Sequence, residues 1–397
     1  MFLIQDGHQT HTHIDAAIEG GSAEGVIWSP ADETPNGLDD GVRACAIEGV
    51  VQAIDPQLYV APLADANPKR LPDHALFDVP LRPRDLSARN LGPLTERLLD
   101  FQADRQVTHV LSPTVAVAAM ADRWAEVAAN LADTALAMWG EREDERPMLV
   151  SVAVQQSLLA DPESVDALLD ELTTYECDGF YLMMERDPDM DPAEGAVIFE
   201  RMLYIIYALT QLNDYEVWSG YAGLGGFVLR AAGSQAFAGG WWQKQNWWSP
   251  GHWGAGAGGR QPRPRIFLDS VLGSLLIEGE LSVIARQRRD VDLYAQLLDG
   301  VGELASEFRD GRAFDGDYSR AEMISQLLSV CSELDSRIVG NLDIDMRRVL
   351  DDIAAAEVLQ RRIRDVGVEL DPRGARNALT VWQTAVTALG DRLGRAF

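Results

Sequence analysis

The sequence predicts an α/β protein, a (β/α)8 barrel of the TIM type followed by an all-α C-terminal domain. Eight short β-branched or aromatic segments alternate with helical patterns over about 250 residues, the usual length of such a barrel. These segments are apolar on both faces, as is typical of parallel strands covered by helices. We therefore predict a barrel at residues 1–279 and a helical domain at residues 280–397.

The alternation can be followed in order along the chain. The predicted strands are FLIQDG, GVIWSP, VQAIDPQLYV, THVLSPTV, MLVSVAVQQS, DGFYLMME, YEVWSGYAG and QAFAGGWWQ. One intervening helix has a clear start, because Asp161 is a typical N-cap residue and Pro162 suits the first helical position. After QPRPRIFLDS no further strand is predicted, and GSLLIEGELSVIARQRR is a candidate for the eighth barrel helix. An open, doubly wound sheet is the alternative, although no GxGxxG pattern follows the first strand.

The charge balance argues against some partners. The formal net charge is −28, and only Lys69 and Lys244 are lysines among 34 basic residues. Such acidity disfavours non-specific binding to nucleic acid or anionic membranes. It fits a cell with high internal salt, whereas scarce lysine is also typical of a GC-rich genome. Without a signal-peptide pattern or an apolar run of membrane-span length, we expect a cytoplasmic protein.

Residues 239–259, GGWWQKQNWWSPGHWGAGAGG, combine five of the chain's ten tryptophans with many glycines. This segment leaves the C-terminal end of predicted strand eight, the end that carries the active site in barrels. Its tryptophans, beginning with Trp241 and Trp242, either stack a ring-shaped ligand or attach the helical domain to the barrel. The long loop after strand three, residues 61–86, is a candidate lid over the same opening.

The residues around predicted strands seven and eight read WSGYAGLGGFVLRAAGSQAFAGGWW. A glycine turn that opens a helix, followed by a strand ending in Gly-Gly, resembles the phosphate-binding half of many (β/α)8 barrels. The resemblance covers about 25 residues and implies that backbone N–H groups hold a phosphate at a helix N-terminus. The alternative is that the glycines only permit tight packing of strand against helix. The glycines concerned are Gly223, Gly225, Gly226, Gly239 and Gly240.

The segment DGHQTHTHID contains His8, His11 and His13. A His-x-His pattern after the first strand resembles the metal-binding motif of the amidohydrolases. That family also implies histidines after strands five and six and an aspartate after strand eight, where this chain reads VQQS, MMER and GGWWQK. A mononuclear site formed by these histidines with Asp6 and Glu185 remains an alternative. Otherwise the histidines are polar residues near the barrel opening.

Polar side chains follow most of the predicted strands, which in a parallel barrel converge on one opening. Asp6, Asp55 and Glu185 are the candidate catalytic residues, because carboxylates paired in a cleft can act as acid and base. Arg186 and Lys244 are candidates to bind an anion. The alternative is a structural ion network under the opening. The remaining candidate substrate-binding residues at these strand ends are His8, Gln57, Tyr59, Gln155 and Tyr221.

Together these residues predict an enzyme that binds a small phosphate-bearing, ring-containing substrate, such as a nucleotide or a sugar phosphate. The expected reaction is hydrolysis or group transfer by acid/base carboxylates. One alternative is a non-catalytic barrel within a larger assembly, with the C-terminal helices forming a homo- or hetero-oligomer. A second is a metal-dependent hydrolase that uses the N-terminal histidines. The sequence indicates no particular cofactor.

Overall fold

The structure is a computed structural model that describes residues 1–7, 11–63, 67–78, 81, 84–186, 190–254, 263–299, 301, 304–309, 319–371 and 378–397. Within these residues, parallel strands close almost completely into a barrel. They pair in the order β3-β2-β1-β9-β8-β7-β6-β4, and β5 also pairs with β6. The barrel strands are β1 Phe2–Gln5, β2 Gly25–Trp28, β3 Val51–Ile54, β4 Val110–Leu111, β5 Ala116–Val117, β6 Met148–Val154, β7 Gly179–Met184, β8 Glu216–Ser219 and β9 Ala236–Gly239.

The pairing of the first strand with the last, together with hydrogen bonds between β3 and the residues just before β4, distinguishes this barrel from an open sheet. Leu3 of β1 lies opposite Ala238 of β9, so the open-sheet alternative is wrong. Trp218 of β8 lies opposite Ala236 of β9, which confirms that predicted strands seven and eight are parallel neighbours. The predicted fourth strand is divided into β4 and β5, with Pro113 between them. Together these two short strands occupy one of the eight positions in the barrel.

Gln52 and Thr108 close the barrel between β3 and β4, where no regular ladder forms in the described residues. The backbone N–H of Gln52 donates to the Thr108 hydroxyl at 2.8 Å, and the N–H of Thr108 donates to the Gln52 carbonyl at 2.9 Å. The buried Gln52 amide also accepts from the Trp28 indole at 3.0 Å and donates to the carbonyls of Val42 and Gln106. These bonds satisfy the backbone groups that a missing ladder would leave unpaired.

The helices after the strands form the outer layer. Asp161 caps α6 as predicted, because its carboxylate accepts from the N–H groups of Glu163 and Ser164. These helices are α1 His11–Glu19, α2 Pro35–Glu48, α3 Ala88–Ala103, α4 Arg123–Gly140, α5 Gln156–Ala160, α6 Pro162–Leu172, α7 Pro192–Tyr207 and α8 Gly226–Ala231.

The chain after the barrel contains a hairpin, so the prediction of no further strand is wrong. Strand β10, Arg265–Leu268, pairs antiparallel with β11, Gly273–Leu276. Strand β11 lies inside the segment predicted as the eighth barrel helix. Its run SLLI is as compatible with a buried strand as with a helix, because a short apolar run does not separate the two. The helices that follow are α9 Ser282–Arg286, α10 Leu293–Leu297, α11 Leu304–Arg309, α12 Arg320–Ser336, α13 Leu342–Asp365 and α14 Ala378–Leu393.

The place of the eighth barrel helix is taken by α12, which packs against α1, α8 and β1. Helix α14 packs along α7, and both contribute to the same buried cluster as the outer face of the barrel. The predicted helical C-terminal region is thus confirmed, and its helices share a core with the barrel. The boundary at residue 279 stays a prediction.

One helical stretch, Pro192–Leu212, is long and apolar enough to cross a membrane by length and composition. The expectation that no run approaches such a length is therefore corrected. Of its most apolar window, 67% is buried inside the protein. Because α14 packs along it and its buried residues belong to the same cluster as those of the strands, its apolar character is explained by core packing.

We expect Thr108→Val to weaken the closure of the barrel. Valine keeps the shape but leaves the Gln52 N–H without its acceptor, which should lower the free energy of unfolding by about 1–3 kcal/mol. The matched control is Thr134→Val, since among the described residues the Thr134 hydroxyl bonds only to the Asn130 carbonyl within α4. Urea unfolding of both variants measures the difference. Equal effects would contradict a closing role for Thr108.

Candidate active site

Asp55 lies directly after β3 at the mouth, the barrel end at which the parallel strands finish. Gln57 has a left-handed backbone with φ 55°, which turns the chain into a short 3-10 helix at Leu58–Val60. Tyr59 therefore folds back, and its hydroxyl donates to Asp55 Oδ2 at 2.8 Å while the Gln57 N–H donates to Oδ1 at 3.0 Å. Burial raises the pKa of Asp55 to about 6, although both hydrogen bonds oppose this effect. Asp55 is thus able to exchange a proton near neutral pH.

Three buried tyrosines surround Asp55. The Tyr221 hydroxyl lies 3.0 Å from the Tyr59 hydroxyl, and the Tyr181 hydroxyl donates to Gln5 Oε1 at 3.3 Å. Burial and then the charge of Asp55 raise the pKa of each tyrosine well above 10. The three hydroxyls therefore remain protonated, and those of Tyr59 and Tyr221 form a hydrogen-bonded chain that ends on Asp55.

Asp6 follows β1 and is buried beside the end of β2. Its carboxylate accepts from the N–H groups of Gly7 at 2.6 Å and Ser29 at 3.0 Å. The Gln57 side chain donates to the Ser29 hydroxyl at 2.9 Å and accepts from the Ala31 N–H at 3.0 Å. Gln57 therefore ties the ends of β2 and β3 together, and its predicted contact with a substrate stays a prediction.

Both lysines of the chain form ion pairs with Asp32, which follows β2. The Lys69 Nζ is 2.7 and 2.9 Å from the two Asp32 oxygens, and the Lys244 Nζ is 3.0 Å from Oδ1. Burial opposes ionisation of Asp32, but the two ammonium groups outweigh it and lower its pKa. Burial lowers the pKa of Lys69 to about 8; the charge of Asp32 opposes this shift and that of Lys244 adds to it. The two amines share one hydrogen-bonded carboxylate, and their ammonium groups are candidates to bind an anionic ligand here.

A small cavity lies beside these lysines under residues 240–254, which we call the cap. Its volume is about 20 Å³, which is room for roughly one water molecule. Trp248 and Trp253 form its roof and are only 1% and 6% exposed. Both pack edge-on against Tyr59, with ring centroids 5.6 and 6.1 Å away. The mouth is closed in this conformation. The cavity is lined by Asp6, Asp32, Lys69, Tyr221, Lys244, Gln245, Trp248, His252 and Trp253.

The other tryptophans of the cap contact the outer helices. Trp241 meets His13 of α1 edge-on at 5.3 Å between ring centroids, and the Arg320 guanidinium of α12 lies 4.2 Å from the Trp242 ring. Trp247 is half-buried beside His252. The tryptophans are therefore divided: two roof the mouth, Trp241 contacts the barrel helix α1, and in the described structure Trp242 alone contacts a helix of the C-terminal region.

Gln245 and Asn246 fix the cap to the barrel. The buried Gln245 amide donates to the Gln5 carbonyl at 2.7 Å and accepts from the Trp242 N–H at 2.7 Å. Asn246 accepts from the Gly240 N–H at 3.2 Å and donates to the Trp242 carbonyl at 3.1 Å. Side-chain amides of the cap thus satisfy backbone groups at the end of β9.

The glycines predicted to bind phosphate lie under these amides. A Cβ atom at Gly223 would be 2.7 Å from the Asn246 Cβ, and one at Gly240 would be 2.6 Å from the Gln245 side chain. At Gly226 it would be 1.9 Å from the Phe237 ring, which supports the packing alternative there. Gly225 and Gly239 are also closely packed. Phosphate binding by this turn is not confirmed and stays a prediction.

Glu185 and Arg186 lie after β7, outside the lining of the cavity. The Glu185 carboxylate accepts from the Ser249 hydroxyl at 2.7 Å and the Gln156 N–H at 3.2 Å, which joins the cap to α5. The Arg186 guanidinium donates to the carbonyls of Ala222 and Asn246. Burial lowers the pKa of Arg186 to about 10, so it stays charged at neutral pH. Gln155 begins α5 beside them and is partly exposed.

The N-terminal histidines do not converge in the described residues. His11 lies 3.0 Å from Glu33, and this hydrogen bond raises its pKa although burial opposes the shift. His13 packs on Trp241, and burial followed by the charge of Arg320 lowers its pKa. His8 lies outside the described residues. Among the residues that the structure describes, no group of three or more His, Cys, Asp and Glu side chains is placed to hold a metal.

The structure therefore brings Asp6, Tyr221 and Lys244 to one cavity. Asp55 lies behind this cavity and is connected to it through the hydrogen-bonded hydroxyls of Tyr59 and Tyr221. Sequence reasoning missed Lys69 as a site residue, although the scarcity of lysine was a usable signal. It also missed the role of Gln245 and Asn246, for which the sequence contains no comparable signal. A scan against protein-family models finds no match to this chain, and a search of curated proteins finds no significant relative. Function is therefore inferred from the geometry of the mouth.

We expect Asp55→Asn to change how stability depends on pH. The pKa of Asp55 is higher in the folded protein than the ordinary 3.8, so its stabilising effect is full below about pH 4 and is lost as pH rises through about 6. The variant should gain up to about 3 kcal/mol of unfolding free energy over wild type between pH 4 and pH 7.

Denaturant unfolding at both pH values measures this difference, and any pH-independent effect of the substitution cancels. Asp32→Asn is the contrasting control. Because the folded pKa of Asp32 is lowered, its contribution is present at neutral pH and is lost on acidification. Asp32→Asn should therefore change little relative to wild type between pH 4 and pH 7, because the contribution of Asp32 is lost only near and below pH 4. A gain as large as that of Asp55→Asn would contradict the assigned environments.

We expect Trp248→Ala to destabilise the protein by about 3–5 kcal/mol, as for a buried aromatic truncation. Trp247→Ala should cost about 1 kcal/mol or less, because Trp247 is only half-buried. Thermal or urea unfolding of the two variants distinguishes them. A Trp248 variant as stable as wild type would show that the roof does not pack on the barrel.

Proposed function

We propose that the mouth is the active site of an enzyme for a small anionic, ring-containing substrate, such as a nucleotide or a sugar phosphate. The proposed reaction is hydrolysis or group transfer. The observation that supports it is the convergence of the only two lysines on Asp32. Arginine supplies every other one of the 34 basic residues, so a general need for surface charge does not explain lysine at these positions.

Each part of the mouth has a proposed role. Lys69 and Lys244 bind the anionic group, for which their ammonium groups are suitable point charges. Trp248 or Trp253 stacks the ring. Asp55 gives or takes a proton through the Tyr59 and Tyr221 hydroxyls, which can pass it along their hydrogen bonds.

The backbone at the mouth supports a functional role. Gln57, Lys69 and Tyr221 are three of the six non-glycine residues with positive φ in the described chain. Non-glycine residues in this conformation cost about 1–3 kcal/mol each, and they cluster at functional sites.

In our proposal the cap shifts when the substrate enters, since the cavity is too small for it. The Lys69 and Lys244 side chains are 25% and 32% exposed, so solvent reaches both.

The closed mouth favours a second candidate function. A barrel whose opening is roofed by buried Trp248 and Trp253 is also suited to be a non-catalytic part of an assembly. Size-exclusion chromatography with light scattering separates the two. A stable oligomer that binds no small anion supports the assembly role, and a monomer that binds one supports the enzyme.

We expect nucleotides or sugar phosphates to bind and to change the fluorescence of the cap tryptophans. The assay is a metabolite screen by thermal shift, because a ligand that binds the folded state raises the melting temperature, followed by fluorescence titration. Lys244→Gln should weaken binding of a hit about tenfold or more, since a charge-assisted contact contributes roughly 1.5–3 kcal/mol.

Arg43→Gln is the matched control, because Arg43 is an exposed residue paired only with Asp40 in the described structure. It loses the same charge far from the mouth and should bind the hit as wild type does. Equal weakening by both variants would mean that net charge alone attracts the ligand. A screen without any anionic hit would count against the enzyme.

A further inference from the structure

We infer that Lys69 is a nucleophilic amine that forms an imine with an aldehyde or ketone. The substrate of the mouth would then carry a carbonyl group close to its anionic group. This inference rests on the proposed function, because the carbonyl compound must enter the same cavity. It goes further by assigning the two lysines different roles: Lys69 reacts, and Lys244 keeps its charge and binds the anion.

The geometry around Asp32 distinguishes the two amines. Both Nζ atoms lie within 3.0 Å of the same oxygen, Oδ1, so one carboxylate faces two ammonium groups. Asp32 is shared by both amines, and the ammonium form of Lys69 is destabilised by its like-charged neighbour Lys244. Lys69 is the more buried of the two, which disfavours its charged form further. A desolvated lysine beside another cation is the usual environment of an imine-forming amine.

The other groups facing Lys69 come from the cap and from across the cavity. The Trp253 ring lies 4.7 Å from Nζ and favours the ammonium form, in opposition to burial and Lys244. Burial and then the two lysines lower the pKa of His252, so its imidazole is neutral. Asp6 and the Tyr221 hydroxyl complete the cavity wall. A neutral imidazole and a carboxylate are thus available to move protons beside the amine.

The chemistry balances without an oxidant or a further reactant. The Lys69 lone pair attacks the carbonyl carbon, the carbonyl π electrons move to oxygen, and a proton transfer gives a neutral carbinolamine. A neighbouring acid then protonates the hydroxyl group, which leaves as water while the nitrogen lone pair forms the C=N bond of a protonated imine. The positive nitrogen acidifies the C–H bond on the carbon next to the imine carbon. A carboxylate can remove this proton, which gives an enamine. Hydrolysis of the imine returns the amine and the carbonyl product.

This role explains why lysine occurs here in a chain that otherwise uses arginine. A guanidinium stays protonated in proteins and cannot supply a lone pair, whereas a buried lysine amine can. The scarcity of lysine also makes the test direct. The printed chain has three primary amines, its α-amino group and the amines of Lys69 and Lys244. Each can be followed separately by peptide mass spectrometry.

The experiment traps the imine in the full-length protein at pH 7. Pyruvate is the probe, because it places a ketone next to a carboxylate, and cyanoborohydride reduces any imine to a stable amine. We expect native Lys69 to be modified roughly tenfold or more faster than Lys244, and faster than Lys69 in the urea-unfolded chain. Equal rates for the two lysines, or no gain on folding, would overturn the inference. This comparison requires no variant.

Two variants test the assigned roles. Lys244→Arg keeps the neighbouring charge and should leave the modification of Lys69 fast, whereas Lys244→Met removes that charge and should slow it at pH 7. Unchanged rates in both would overturn the role of Lys244. Lys69→Arg keeps a positive charge opposite Asp32 but removes the amine, so the fast adduct should be lost. An adduct that formed on Lys244 at the same rate instead would overturn the assignment to Lys69.

Inorganic phosphate separates this inference from the proposed anion site. The readout is acetylation of both lysines with and without phosphate. If phosphate protects the lysines from acetylation but pyruvate is not trapped, the proposed anion site is supported and the nucleophilic role of Lys69 is overturned. Trapping without protection would support the nucleophile and count against phosphate as the bound group.

Discussion

The hydrogen bonds between Gln52 and Thr108 close the barrel, and the chemistry of the mouth depends on that closure. They lie at the one junction where neighbouring strands form no regular ladder in the described chain. Asp55 is only three residues beyond Gln52, directly after the end of the same strand. If this junction opened, water would reach Asp55, and the burial that raises its pKa would be lost. The same contacts that complete the sheet therefore contribute to the burial that raises the pKa of Asp55.

The cap is the second element on which the mouth depends. Its side chains occupy the space and the hydrogen-bonding positions that a ligand would otherwise take. Backbone N–H groups at the end of β9 bond to the amides of Gln245 and Asn246, which occupy space above the glycines. Trp248 and Trp253 keep water from the tyrosines around Asp55. A closed cap strengthens the electrostatic interactions beneath it, because they act in a low-dielectric environment. The same closure requires that any ligand replace contacts the protein already makes.

Much of the fold could be predicted from the sequence, because parallel strands and amphipathic helices have distinct periodicities. The capped start of α6 at Asp161 was equally local and is confirmed. The hairpin of β10 and β11 was missed, since its short apolar run fits a helix or a strand equally well. The residues gathered at the mouth could be located only in part: strand ends indicated Asp6, Asp55 and Lys244, but Lys69 comes from a long loop with no periodicity. That Asn246 would lie over the glycine turn depends on tertiary contacts that no local pattern encodes.

The position of α12 has a consequence for how the protein is made. The first strand lies between β2 and β9, and its outer side is covered by α12, which ends at Ser336. A chain emerging from the ribosome therefore cannot bury Phe2, Ile4 and Ile14 in their final surroundings until more than four fifths of it has been synthesised. During that interval the early strands present open edges and apolar faces, which are prone to wrong association. Successful production should thus depend on slow translation, chaperones or solvent conditions that protect the first βα units while the last helices are still absent.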